Sequence, residues 1–160
     1  MLGKIRNQFG YEIDLDALFM DALASLTGRN DVELRFTDPP SRGALASLAR
    51  DMDGRLIVWI SDRLPLNAQY DLFLHEAAHV VKHSHKIPRS QAAAVPAGHL
   101  VNVARESKQP DYMADEGEAD RLRDEWRAWV GMRTIQFDTT LEGYPPEVYK
   151  LIIILKGYGK

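Results

Sequence analysis

Apolar residues recur at steps of three and four in Leu15, Leu18, Phe19, Ala22, Leu23 and Leu26. That spacing puts them on one face of a helix. Asp14 or Asp16 can cap its start, and Gly28 ends it after Thr27. Residues 1 to 12 read as a polar leader. Val32 to Phe36 alternates as a strand does, and Leu45 to Arg50 is a weaker strand candidate. Between them, Pro39-Pro40-Ser41-Arg42-Gly43 is a break. Asp53-Gly54 is a hairpin signal, and Arg55 to Ile60 is the clearest strand of the chain. Asn67 can then cap a helix that meets no proline or glycine until after His85. Leu72, Phe73, Leu74, Ala77, Ala78, Val80 and Val81 give that helix an apolar surface.

Lys86 to Pro110 reads as a long connection with a short helix near Leu100 to Glu106, either a lid or binding loop or a surface insertion. Asp111 opens another helix, which runs to Gly131 with Leu122, Trp126, Trp129 and Val130 as its buried stripe. In the tail, Pro145-Pro146 marks a helix start, although the run Leu151 to Leu155 is β-branched enough for a strand. The helix is the preferred reading. The pattern predicts one α+β domain with a core over about 13 to 130 and a C-terminal extension over 131 to 160.

Composition narrows the class. The chain has 160 residues, 45% hydrophobic and 27% charged, which suits a globular domain with a real core. A formal net charge of −3 gives no global attraction to nucleic acid or to an anionic membrane. The absence of cysteine excludes disulfides, zinc ribbons and thiol nucleophiles. No apolar signal core or membrane-length run is present, so a cytoplasmic location is expected.

The chemistry lies in His75-Glu76-Ala77-Ala78-His79, an H-E-x-x-H pattern in the middle of an apolar helix. Residues four apart share a helix face, so His75 and His79 can offer two imidazoles to one metal ion. Glu76 lies about 100° round from His75 and can reach a water on that metal. Two histidine ligands and a nearby carboxylate base are what a zinc hydrolase needs. A catalytic zinc takes a third protein ligand, which here must be His, Asp or Glu. The acidic first turns of the second helix, Asp115-Glu116-Gly117-Glu118-Ala119-Asp120, are the best source. Counting back from Leu122 puts Glu118 on the inward face and turns Glu116 toward solvent. Glu118 is therefore the expected third ligand, with Asp115 in reserve or as the acceptor that orients a ligand histidine.

At these residues the chain resembles the ImmA/IrrE-type metallopeptidases, small gluzincins of bacteria and their phages. That family has a strand, then an F-T-x-x-H-E-x-x-H helix, then a glutamate in an E-x-E-A-N-type helix. The matching stretches here are Arg55 to Ile60, Asp71 to His79, and Glu116-Gly117-Glu118-Ala119-Asp120. The likeness covers residues 13 to 130. Leu122-Arg123 stands where the family has an aromatic-alanine pair, and no Leu-Leu-x-Pro follows. The resemblance implies Zn2+ on His75, His79 and Glu118 and general-base work by Glu76. His83 matches a histidine common in that helix. It also implies a zincin-like fold: a small antiparallel or mixed sheet packed on the H-E-x-x-H helix, with a second, ligand-bearing helix.

The expected function is zinc-dependent hydrolysis of peptide bonds in a protein substrate, with a bacterial or phage transcriptional repressor as the substrate implied by the resemblance. A strand flanking the cleft can pair with an extended peptide. Tyr112, His99 and His83 are candidate donors to the oxyanion. His85 and His99 otherwise read as surface residues, and Trp126 and Trp129 as core. The competing reading is a non-catalytic zincin-like module that binds a regulatory protein. Retention of Glu76 argues against it, because a structural site needs no base. A protease acting at DNA is disfavoured by the acidic balance and the missing cysteines.

Overall fold

The computed structural model describes residues 1–40, 43–90, 112–133 and 140–158. Among them the protein is α+β, with two small sheets and four α-helices. The opening residues are not a bare leader. β1 (Lys4–Arg6) and β2 (Glu12–Asp14) form an antiparallel hairpin in which Ile5 pairs with Ile13. Each strand of three has its middle isoleucine packed against the core, too little apolar signal to stand out from a polar sequence.

α1 (Leu15–Thr27) follows without a loop. The Asp14 carboxylate accepts a hydrogen bond from the Ala17 backbone amide and caps the helix. Gly28 closes it with φ of 68°, a left-handed conformation that costs glycine little. Leu15, Leu18, Phe19, Ala22, Leu23 and Leu26 are all buried, as their spacing predicts.

β3 (Val32–Phe36), β4 (Ala46–Arg50) and β5 (Leu56–Ile60) form the main sheet in the order β3-β5-β4. β3 is parallel to β5 and β4 antiparallel to it, so the sheet is mixed. The β4–β5 hairpin turns at Asp53-Gly54: Gly54 has φ of 90° and donates its amide to Asp51. β5 is buried along its whole length. Leu56, Val58 and Ile60 join the main core, while Ile57 and Trp59 meet Ala49 in a small second cluster. Alternate residues of a strand face opposite ways, which accounts for the division.

α2 (Leu66–His83) packs on this sheet and on α1. It starts a residue earlier than Asn67, after Pro65, with no side-chain cap. Proline at that point pre-sets the entry angle and needs no hydrogen bond. Phe73, Leu74, Ala77, Ala78 and Val80 are buried, whereas Leu72 is only partly covered and Val81 is exposed. The helix end is tied down by one guanidinium. Arg50 donates to the carbonyls of Ser84, Ile87 and Gly54 at 2.6, 3.0 and 2.7 Å, joining the turn that follows the helix to the hairpin turn.

After a 3-10 turn at Ser84–Lys86, Arg89 bridges Arg50 at the end of β4. The proposed lid and the short helix near Leu100 to Glu106 fall outside the described residues. α3 (Tyr112–Gly131) then lies antiparallel to α2, as its contacts show: Asp115 meets His83, Asp120 meets His75, and Arg127 pairs with Asp71. Trp126 and Val130 are buried, and Leu122 and Trp129 are partly so. α4 (Pro146–Gly157) is a helix, and it packs on α1. The core therefore does not stop near residue 130. Val148, Leu151, Ile152, Ile153 and Ile154 belong to the same cluster as α1 and α2.

Candidate metal centre

The seam between α2 and α3 is ionisable where most helix seams are apolar. His75, His79 and His83 follow one another at four-residue steps along α2 and share a face. The facing part of α3 carries Asp115, Glu116, Glu118 and Asp120. The first two histidines and Glu116 converge. His75 Nε2 is 3.1 Å from His79 Nε2 and 2.9 Å from Glu116 Oε2, and His79 Nε2 is 2.9 Å from Glu116 Oε1. Ligand atoms about 2.0–2.1 Å from a tetrahedral ion stand about 3.3 Å apart. The three donors already sit close to that separation.

The donor set also fits a borderline-soft divalent cation such as zinc: two neutral imidazole nitrogens and a carboxylate. His75 Nε2 and His79 Nε2 each lie 2.9 Å from a different oxygen of Glu116, so without a metal each nitrogen can donate a hydrogen to that carboxylate, in the space a cation would take. Burial disfavours charge on His75, but Glu116, Glu76 and Asp120 outweigh it and raise the His75 pKa above its ordinary value. The same partners, His75 and His79, hold the Glu116 carboxyl far below the usual carboxylate range. Without a cation the site is held together by shared protons.

The carboxylate at His75 and His79 is thus Glu116, where the sequence reading expects Glu118. Glu118 Oε2 lies 3.5 Å from Nε2 of His83, one turn further along α2. The difference comes from where the buried line of α3 runs. Asp115, Ala119 and Trp126 are its most buried residues near the site, whereas Leu122, used to set the face, is only partly covered. At 100° per residue, Glu116 and Glu118 then flank Ala119 on opposite sides. One carboxylate reaches the first two histidines and the other reaches the third. Glu116 was legible in one respect. Glu116, Asp120, Arg123 and Arg127 form a stripe at steps of four, three and four. Arg127 on that stripe ion-pairs with Asp71, one turn before His75, which brings the stripe against the histidines.

The surrounding contacts orient these side chains. Asp120 Oδ1 stands 3.1 Å from His75 Nδ1, off the line of a hydrogen bond, and is also paired with Arg123 at 3.2 Å. His79 Nδ1 is 3.1 Å from Nδ1 of His83. Asp115, the reserve ligand, is instead 3.4 Å from His83 Nε2 and 3.0 Å from Lys86 Nζ. Glu76 is 4% exposed, and its Oε2 is buried without a hydrogen-bond partner. A buried carboxylate oxygen left in that state is costly.

Of the three oxyanion candidates, His99 and the Tyr112 side chain fall outside the described residues. His83 sits behind His79, against Nδ1 and away from the converging nitrogens. His85 is exposed, Trp126 is core, and Trp129 packs against Tyr158. A cavity of about 420 Å³ opens elsewhere, beside Tyr70, Asp71, Arg127 and Lys150. No helix among the described residues is long and apolar enough to cross a membrane. No family of proteins, curated protein or solved structure matches the chain.

Proposed function

We propose that the chain is a zincin-like, zinc-dependent metallopeptidase that hydrolyses peptide bonds of a protein substrate. His75, His79 and Glu116 would hold the ion, and Glu76 would be the base. One observation carries the reading: two imidazole nitrogens of α2 and the two oxygens of one α3 carboxylate converge at 2.9–3.1 Å, next to a buried carboxylate in H-E-x-x-H register. A bound zinc would supply Lewis acidity to a carbonyl and to water. The chain's own part is proton handling. Glu76 would accept a proton from the attacking water and return it to the departing amine nitrogen. β4 is the edge strand packed beside α2, and its outer side, which Arg50 already uses to bridge Arg89, would be where an extended substrate adds. A bacterial or phage transcriptional repressor is the substrate class to try first, on the strength of the resemblance.

The unpartnered Glu76 oxygen favours catalysis over a binding module, which would gain nothing from a buried acid. Metal content by mass spectrometry, measured beside cleavage of a peptide library, tests the proposal. The expected result is about one zinc per chain. It should be lost in Glu116→Ala and kept, with weaker binding, in Glu118→Ala. Glu76→Gln should keep the metal and lose cleavage. A Glu76→Gln protein as active as the parent would remove the proposed base. Zinc lost in Glu118→Ala alone would return the third ligand to Glu118.

A further inference from the structure

The cavity beside Tyr70 lies where α2, α3 and α4 meet, and it shares no residue with the metal centre. Its volume of about 420 Å³ falls in the range of about 300–1,000 Å³ usual for small-molecule sites. Tyr70 lines it and is 3% exposed, and the Tyr70 hydroxyl is buried without a hydrogen-bond partner. A hydroxyl in that state carries its full desolvation cost, which a partner from outside the chain would remove. Burial pushes the Tyr70 pKa well above the ordinary tyrosine value, so the group stays neutral and can donate. The charges that act on it are those of Asp71, Arg127 and Glu147. All three line the cavity, which places the hydroxyl on the cavity side of its ring.

Two helix ends of opposite sign reach the same cavity. Because α2 and α3 run antiparallel, the start of one lies beside the end of the other. Asn67 comes from the first turn of α2, and Val130 and Gly131 from the last turn of α3. α2 has neither a side-chain cap nor an acidic residue in that turn, and the last turn of α3 has no basic one. Arg133, just past it, donates to the Trp129 carbonyl. The first end favours an anion and the second a cation. α4 adds one side chain of each sign. Glu147 and Lys150 both line the cavity, and neither makes an ion pair among the described residues. The other two charges, Asp71 and Arg127, are paired with each other. A ligand of one sign would satisfy half of this lining, whereas a ligand bearing both signs satisfies all of it.

We propose that this cavity binds a small zwitterion, an ammonium group beside a carboxylate, as in a free amino acid or a dipeptide. The Tyr70 hydroxyl, the Lys150 ammonium and the first turn of α2 donate to the ligand's carboxylate. The ligand's ammonium donates to Glu147 and to the last carbonyls of α3. Lys150 Nζ stands 5.3 Å from the centre of the Tyr70 ring and belongs to an exposed, flexible side chain. It can follow the carboxylate off the ring and uncover the phenol. The Tyr70 ring and Val130 leave an apolar wall for the ligand's side chain.

The test titrates the full chain with the free amino acids and with a set of dipeptides, read by calorimetry and by thermal shift. The best binder is then repeated as its N-acetyl form and as its amide, each lacking one of the two charges. The expected result is saturable binding of one zwitterion per chain, with both blocked forms roughly tenfold weaker or worse. Binding by free amino acids alone would assign the site to a metabolite, and binding by dipeptides alone to a peptide fragment. Tyr70→Phe should weaken binding by roughly tenfold and leave the thermal midpoint of the unliganded protein unchanged or higher, since it removes a hydroxyl that bonds to nothing. Lys150→Gln and Glu147→Gln, at less buried positions, should weaken it similarly while the fold is kept. No binding by any member of either set would overturn the proposal. So would equal binding of a blocked form, or parental affinity in Tyr70→Phe. A lower midpoint for unliganded Tyr70→Phe would make the hydroxyl part of the fold and overturn its role at the ligand.

Discussion

The two faces of α2 are buried by opposite means. One sends Phe73, Leu74, Ala77, Ala78 and Val80 into hydrocarbon against α1 and the sheet. The other sends His75, His79 and His83 against a row of carboxylates on α3. The apolar face gains about 0.8 kcal/mol for each methylene taken from water. The polar face loses solvation at every ionisable group and recovers it only through pairing. Stability is therefore expected to come from one side of the helix, and chemistry from the other. A helix under selection for stability alone would have hydrocarbon on both.

The sharpest way to break this contrast is to cut into the apolar face. Phe73 is fully buried and packs edge-on against Phe19 at 5.0 Å. Phe73→Ala should cost about 3–5 kcal/mol, read from urea unfolding of the metal-free protein. A cost under about 1 kcal/mol would show that the face is not what holds the helix.

The polar face should respond to pH where the apolar face does not. In the metal-free protein the folded pKa of His75 is raised above 6.5, so its contribution is complete below 6.5 and is lost as pH rises through the folded value. That of Glu116 is lowered below 4.5, so its contribution is present above 4.5 and is lost as pH falls through the folded value. The pair should therefore stabilise the metal-free fold most between those two ordinary values. In Glu116→Gln this hump should flatten, and the His75 pKa should fall because burial then meets less opposition. An NMR titration of the imidazoles reads both, and an unchanged His75 pKa would detach Glu116 from the site.

The smallest effect expected is at a place that belongs to neither face. Asp14→Ala removes the cap of α1 and should cost about 1 kcal/mol by the same unfolding assay, with zinc affinity unchanged.

Much of this was legible before the coordinates. Asp14 and Gly28 bracket α1, Asp53-Gly54 turns the β4–β5 hairpin, and the H-E-x-x-H spacing places His75 and His79 together. These are local signals, each carried by a few adjacent residues. The misses needed partners. Ile5 and Ile13 are inward residues only because their strands pair with each other. Ile152, Ile153 and Ile154 show no helical period because that part of α4 is covered on all sides; the helix was the preferred reading from Pro145-Pro146, but its place in the core was not visible. The choice between Glu116 and Glu118 depends on the angle at which α3 meets α2, and a single helix does not contain that angle.

His75 and Glu116 lie 41 positions apart in the chain, on helices that otherwise meet through side chains alone. On the proposed reading, an ion held by both is a removable cross-link. Closing a loop of that length withdraws about 4 kcal/mol of freedom from an unfolded chain that keeps the bond, much as a disulfide does. A cysteine-free protein would then have a staple set by the supply of metal and not by redox state. Chelation would loosen the joint between α2 and α3 while the hydrocarbon joint between α2 and the sheet stays closed.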